Sequence, residues 1–348
     1  MDQARYLRLI RGEGRGAFDP LLRLALNVPA AGYSAAVRWR NRRFDRRNEL
    51  VTKFDVPVIS VGNLTLGGTG KTPAVEWIAR WYRERDLRVT ILSRGYGGSG
   101  GLNDEGRVLA DNLPDVPHLQ DRDRVALARI AIDELDSQLL ILDDGFQHRR
   151  LGRDLDIVLL DALDPFGLGR IFPRGLLREP VSSLKRAQVV MLSRSNLISQ
   201  EARTEIRRRA ELANGDAVWV ESRHSPLDLI GSDGSRTSLD DLVGKRVSAF
   251  CGIGNPEGFR RTLAGLGVEP IDFRVFPDHH AYSAADIQSL GEAVETLGVD
   301  LVLTTQKDLV KLRENRLGRT PLRALRIGLE ITEGREGLVQ ALTRFLPS

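Results

Sequence analysis

The stretch VISVGNLTLGGTGKTPAVEWIARWYRE, residues 58–84, decides the fold. It opens as an apolar β-branched run, passes through a glycine-rich turn, and continues from Lys71 and Thr72 with the apolar spacing of a helix. Gly67, Gly68 and Gly70 let the backbone curl, so that successive N–H groups around Thr69 turn toward one anion, and the helix start adds its positive dipole end. In such a loop Lys71 reaches the β- and γ-phosphates of a nucleotide and the Thr72 hydroxyl holds Mg²⁺. The strict pattern G-x-x-x-x-G-K-[ST] puts its first glycine at position 65, where this chain has Thr65. Gly67 and Gly68 shift the flexibility inward, giving a Walker A turn with an altered first bend. A tight strand-to-helix connection without a ligand would also use glycines. The flanking strand and helix, and a lysine in a chain with few of them, favour nucleotide binding.

A second element agrees. LLILDDG, residues 139–145, ends an apolar strand on Asp143 and Asp144, the arrangement that delivers a carboxylate to the metal across from a phosphate loop. Two acids beginning an ordinary turn are the plainer alternative. Around these two motifs the chain alternates short apolar runs with amphipathic stretches. Strands are expected at 56–61, 88–93, 139–144, 156–162, 188–193 and 217–222, with helices at 72–85, 122–136 and 199–213. After the polar SDGSRTSLDD, 232–241, a second round begins: strands at 246–250, 270–276 and 300–305, helices near 256–266 and 283–297. The fold class is therefore α/β: a P-loop NTPase-like, mostly parallel sheet at 51–230, a second, smaller α/β domain at 231–348, and a basic amphipathic segment at 1–50.

A chain of 348 residues suits about two domains and buries a core without disulfides. The formal net charge is +4, yet residues 1–50 contain eleven Arg, no Lys and only five acids (Asp2, Glu13, Asp19, Asp45, Glu49). All the excess positive charge lies in that segment, and the near-neutral body argues against a nucleic-acid partner. The single Cys251 suits a reducing compartment. Residues 17–37 are moderately apolar but interrupted by Asp19, Pro20, Arg23 and Pro29, so neither a spanning helix nor a signal peptide is expected. Leu21, Leu22, Leu24, Leu26 and Val28 followed by Trp39 and clustered arginines fit a segment lying at an anionic lipid surface; a helix packed on the domain with a solvated arginine face fits equally.

The phosphate chemistry narrows by elimination. A guanine-specific Asn-Lys-x-Asp string is missing, and Thr305-Gln306-Lys307-Asp308 lacks the intervening residue. A motor or helicase would add a basic track. A small-molecule kinase needs a group that activates its nucleophile, supplied from loops at the strand ends.

The strings VGNLTLGGTGKTP (61–73), LSRGYGG (92–98), LDDGFQHRRLGRDLDI (142–157), FPRGLLREP (172–180), FPDHHAY (276–282) and TTQKDLVKL (304–312) occur in one order over most of the chain. In these the chain resembles the tetraacyldisaccharide 4′-kinase family, membrane-associated enzymes of lipid A biosynthesis, and its Thr65 resembles that family's own form of the loop. The resemblance implies ATP and Mg²⁺ as cofactors, a lipid disaccharide 1-phosphate as substrate, and a peripheral place on the cytoplasmic face of the inner membrane. It implies that the catalytic base is Asp104, in Asn103-Asp104-Glu105 where the family has Gly-Asp-Glu, paired with His279. Asp104 would take the sugar hydroxyl proton while His279 orients and polarises it, and Lys71 stabilises the transferring phosphate. The plainer readings are a turn acid at Asp104 and a capping or core histidine at His279 or His280. Thr72, Glu105 and Asp144 are the oxygen donors chosen for Mg²⁺, with Asp143 a ligand or an organiser of Lys71. Arg94 and Arg178 fit anion clamps for the substrate or transferring phosphate, or structural salt bridges. Gln147 and His148 either face the cleft or pack toward solvent, and Lys307 and Asp308 begin a helix after a strand, with no definite role.

The expected enzyme admits ATP and sugar headgroup to a cleft between its two domains. Two rivals share the loop: a membrane-associated P-loop ATPase regulator, which has no need of Asp104 and His279, and an ATP-dependent ligase, which needs an amine site. Nothing in the sequence specifies an oligomer.

Overall fold

The apolar run that precedes the glycines forms the strand Val58–Asn63, every residue of which is buried. In the computed structural model, which describes residues 3–14, 16–95 and 102–347, the chain divides into two units. The first comprises Met1–Arg94, Leu119–Arg223 and Glu330–Ser348, the second Gly95–His118 and His224–Leu329. Tyr96, Gly97 and Gly98 of the RGYGG string lie outside the described residues.

In the first unit six parallel strands run in the order Val218–Ile230 (its first residues), Val189–Ser193, Leu155–Asp161, Val58–Asn63, Leu139–Asp143, Val89–Ser93. Val58–Asn63 is central, paired Val58↔Leu140 on one side and Ile59↔Leu155 on the other. Near-continuous apolar sequence follows from burial on both faces, since polar side chains would find no water there. Fully burying a residue such as Ile59 or Val61 contributes about 1.5–3 kcal/mol. The loop after a central strand opens where ligands bind in open α/β sheets, outside the carboxyl ends of the strands. The following helix, Lys71–Arg83, buries Ala74, Val75, Ile78, Ala79 and Tyr82, the three-and-four spacing of one helical face.

All nine expected strands form, and the five expected helices appear as Lys71–Arg83, Arg124–Asp133, Gln200–Glu211, Pro256–Gly265 and Ala284–Leu297. The units, however, do not follow one another along the chain as 51–230 and 231–348. The C-terminal helix Arg335–Thr343 belongs to the first unit because Leu338 and Leu342 are buried there and the Tyr82 hydroxyl donates to Leu342 O at 2.8 Å. At Gly334 the backbone passes so close to Trp219 that an added Cβ would stand 2.1 Å from its carbonyl oxygen.

The N-terminal segment forms three helices, Gln3–Arg11, Asp19–Ala25 and Asn27–Arg46. One face is anchored. Ala30, Val37 and Asn41 are buried, Tyr6 OH donates to Pro173 O at 2.8 Å, and Arg149 bonds to Asp45 at 2.8 Å. The strongest anchor is Glu179, wholly buried, which accepts from Arg40 at 3.1 Å, Asn41 at 2.9 Å and Arg186 at 2.8 Å. The other face leaves Phe18, Leu21, Leu24, Val28 and Trp39 between 63% and 77% exposed. Among the described residues no helix is long and apolar enough to cross a membrane.

The second unit has the parallel order Asp272–Val275, Val247–Cys251, Leu301–Thr305 and the first part of Thr320–Glu333. Residues 102–118 join it through the helix Asp104–Asn112, which lies against Gln306–Leu312: the Asn112 and Gln306 amides exchange bonds of 3.4 and 3.0 Å, and Lys307 meets Glu105 at 2.6 Å. Sequence periodicity could not announce this partner, because a nine-residue helix of mixed polarity carries little signal by itself.

Candidate active site

The glycine-rich loop of the first unit is held from behind by its carbonyls. Leu64 O accepts from Arg178 N at 2.7 Å, Thr65 O from Asn63 Nδ2 at 2.9 Å, Gly68 O from Arg194 Nη2, and Thr69 O from Ser193 Oγ at 2.8 Å. Arg194 is itself paired with Asp161 at 3.2 Å. The amides are left over. Among the described residues no acceptor meets the N–H of Gly67, Gly68, Thr69, Gly70 or Lys71, and the helix beginning at Lys71 has no side-chain cap. The Thr69 hydroxyl is also buried without a partner. Gly67 and Gly70 have φ of +110° and +80°, which an L side chain resists, and a Cβ on Gly67 or Gly68 would meet nothing within 4 Å. Unpaired amides at a helix start, with open space before them, fit a phosphate.

Lys71 Nζ stands 3.4 Å from Asn63 Oδ1 and 3.4 Å from Asp144 Oδ1. Asp144 follows the strand Leu139–Asp143 in the left-handed region, φ +54°, which aspartate tolerates, and Arg178 Nη1 bonds both its oxygens. Burial works against ionisation here, but Lys71 and then Arg178 bring the Asp144 carboxyl down to about 2. Asp143 is buried at the strand end, and Thr72 is partly buried as the second residue of the helix. Arg178 thus belongs with Lys71 and Asp144, while Arg94 is exposed just past Val89–Ser93. Gln147 turns inward, donating from Nε2 to Asn63 O at 2.9 Å. His148 packs its Nδ1 against Arg124 Nη1 at 3.1 Å; burial and the charges of Arg124, Arg150 and Arg153 push its pKa down to about 4, so it is neutral at pH 7.

The second unit brings together the other pair. Asp104 and His279, 175 residues apart, meet at 3.1 Å between Oδ2 and Nδ1. Asp104 opens its helix, and Asn103 caps it by accepting from Gly106 N at 2.9 Å. That gives the asparagine at this position a local reason, since Asn is among the strongest N-caps. His279 has φ +58° and is held by its own N–H donating to Gly252 O at 3.2 Å. His280 points elsewhere, to Asp286 at 3.1 Å and onto the Phe276 ring, beside the Ser283/Asp286 capping box. His280 thus contacts a residue of that helix cap, whereas His279 turns to Asp104.

Glu105 is engaged by Lys307 at 2.6 Å, and against the cost of burial that ammonium holds its carboxyl below the usual range. Among the described residues no group of three or more His, Cys, Asp or Glu is arranged to hold a metal ion. Thr72 and Asp144 in the first unit remain hard oxygen donors at a phosphate loop, the chemistry Mg²⁺ prefers. Sequence reasoning passed over Asn63, Ser193 and Arg194. The position of Asn63, last in the strand before the loop, is the one signal that pointed to it.

The profile of the tetraacyldisaccharide-1-P 4′-kinase family matches residues 22–346. The tetraacyldisaccharide 4′-kinase of Anaeromyxobacter sp. (strain K) is 40% identical over 95% of this chain and 92% of its own. That of Anaeromyxobacter sp. (strain Fw109-5) is 43% identical over 93% and 90%. Among solved structures, LpxK from Aquifex aeolicus in complex with ATP superposes with a TM-score of 0.74 at 30% identity, covering 94% of this chain and 100% of that one.

Proposed function

The chain belongs to the tetraacyldisaccharide-1-P 4′-kinase family and is an ATP-dependent kinase of lipid A biosynthesis acting on the 4′-hydroxyl of a tetraacyldisaccharide 1-phosphate, and we propose how its residues divide that work. The first unit binds the triphosphate: the amides from Gly67 to Lys71 receive phosphate oxygens, and Lys71 follows the charge that develops on the transferring group. Thr72 and Asp144, with Asp143 beside them, would hold Mg²⁺, and Glu105 is the further oxygen donor that the resemblance implies. Mg²⁺ held there would offset negative charge on the phosphates. Arg178 turns from Asp144 to phosphate when the nucleotide enters, and Arg94 supplies a second clamp for anionic substrate.

The second unit supplies the base. Asp104 accepts the proton of the 4′-hydroxyl as its oxygen attacks the γ-phosphorus, and the bond from that phosphorus to the bridging oxygen of ADP breaks. His279 fixes the Asp104 carboxylate and polarises the hydroxyl. The observation that carries this reading is the 3.1 Å contact of Asp104 with His279, which gives a general base a fixed partner for a hydroxyl proton. ATP consumption is expected to depend on the lipid disaccharide acceptor. Asp104→Asn is expected to lower turnover about 10²–10⁴-fold while ATP affinity stays within about 3-fold. Hydrolysis indifferent to the acceptor overturns the assignment.

The N-terminal segment docks on the anionic lipid of the cytoplasmic face of the inner membrane. Its support is the exposed row Phe18, Leu21, Leu24, Val28 and Trp39 beside a surplus of arginine. A peripheral enzyme at that surface reaches a sugar headgroup whose acyl chains stay in the bilayer.

A further inference from the structure

Six lysines survive in a chain whose cations are otherwise arginine, and one of them, Lys311, is nearly buried, its side chain 11% exposed. Burying an ammonium is costly unless it is paired. The partner is Asp308, wholly buried, whose Oδ1 lies 3.1 Å from Lys311 Nζ and accepts from Tyr282 OH at 3.0 Å. Its Oδ2 accepts from Thr305 Oγ1 at 2.6 Å and from Gly252 N at 3.1 Å. With both oxygens occupied, the carboxylate has one orientation, and so does the lysine it holds. That orientation sets Nζ 3.9 Å from Asp104 Oδ2, beyond hydrogen-bond length but close for two charges. His279 approaches the same oxygen.

The two approaches have a common support. Asp308 fixes the Gly252 N–H, and the Gly252 carbonyl in turn accepts the N–H of His279. The space at Gly252 is tight: an added Cβ would stand 3.1 Å from Asp308 Oδ1 and 3.1 Å from Tyr282 OH, so both would have to give way by a few tenths of an ångström. One buried carboxylate therefore sets both neighbours of Asp104 Oδ2, the ammonium and the imidazole. We propose that Lys311 is a positioning residue for the Asp104 carboxylate, held in register by Asp308. It keeps Oδ2 turned toward itself and His279, so that Oδ1 is presented to the hydroxyl. The inference rests on the reading of Asp104 as the base.

The test is steady-state kinetics on the full chain with ATP and the lipid disaccharide 1-phosphate, comparing Lys311→Met in the native and Asp104→Asn backgrounds, with thermal melting alongside. In the native background kcat is expected to fall about 10- to 100-fold with KM for ATP within about 2-fold. In the Asp104→Asn background the same substitution is expected to change kcat by less than about 2-fold, because Lys311 acts through Asp104. An equal loss in both backgrounds, or unchanged kcat for Lys311→Met while Asp104→Asn removes turnover, overturns the role of Lys311 and leaves the base assignment standing. A fully active Asp104→Asn enzyme overturns the base assignment and this inference with it. Lys311→Gln, which keeps a polar end near Asp308, carries the same comparison should the methionine variant fail to fold.

Discussion

A single nitrogen of Arg178, Nη1, sits astride the Asp144 carboxylate, 2.9 Å from one oxygen and 2.8 Å from the other. Lys71 closes on the same group, so two cations suited to phosphate are held by one acid. Asp144→Asn should free both. ATP affinity measured by calorimetry without Mg²⁺ is expected to rise about 3- to 10-fold, the gain in affinity on adding Mg²⁺ to shrink, and turnover to fall about 100-fold.

His148 gives a pH signature of its own. Its pKa is about 4 in the folded chain against an ordinary 6.5, so between those values the unfolded chain binds the extra proton. Stability is therefore lost as pH falls through that window, by up to about 1.4 kcal/mol per pH unit. His148→Gln is expected to flatten this stretch of the curve, read as urea midpoints at pH 7 and about pH 5.

At Gly62, inside the central strand, an added Cβ would lie 2.8 Å from the Phe146 backbone nitrogen and 2.6 Å from its Cβ. Backbone cannot retreat as a side chain can. Gly62→Ala is expected to cost about 1–3 kcal/mol in chemical denaturation and to weaken ATP binding through the displaced loop.

Charging the exposed N-terminal row separates docking from chemistry. Leu21→Glu with Leu24→Glu is expected to reduce flotation with vesicles containing anionic lipid, and added salt should weaken native binding as well. Turnover of detergent-dispersed acceptor should stay within about 2-fold.

Much of this was legible in the sequence, for physical reasons. Strands such as Val58–Asn63 are buried on both faces, so their apolar runs stand out, and the phosphate loop concentrates its chemistry within a few neighbouring residues. The pairing of Asp104 with His279 spans 175 residues and was reachable only through resemblance. The supports were hidden for a different reason. Lys311, Asn63 and Ser193 make individual polar contacts, with Asp104, Lys71 and the Thr69 carbonyl, and no periodicity or spacing encodes these. The discontinuous units were equally hidden, because whether 335–343 belongs with Tyr82 depends on packing that short amphipathic helices share with many alternatives.

Glu179 and Arg178 are separated by one peptide bond, the first clasping Arg40 and Asn41 of the N-terminal helix, the second clasping Asp144. The N-terminal helices are therefore no interchangeable tag. A chimera that grafts a foreign anchor in place of 1–47 would strip two of the three donors from a sealed carboxylate and leave Arg186 to neutralise it alone. Only an exchange that keeps Arg40 and Asn41 while varying the outward row would change that exposed surface without disturbing the buried carboxylate next to Arg178.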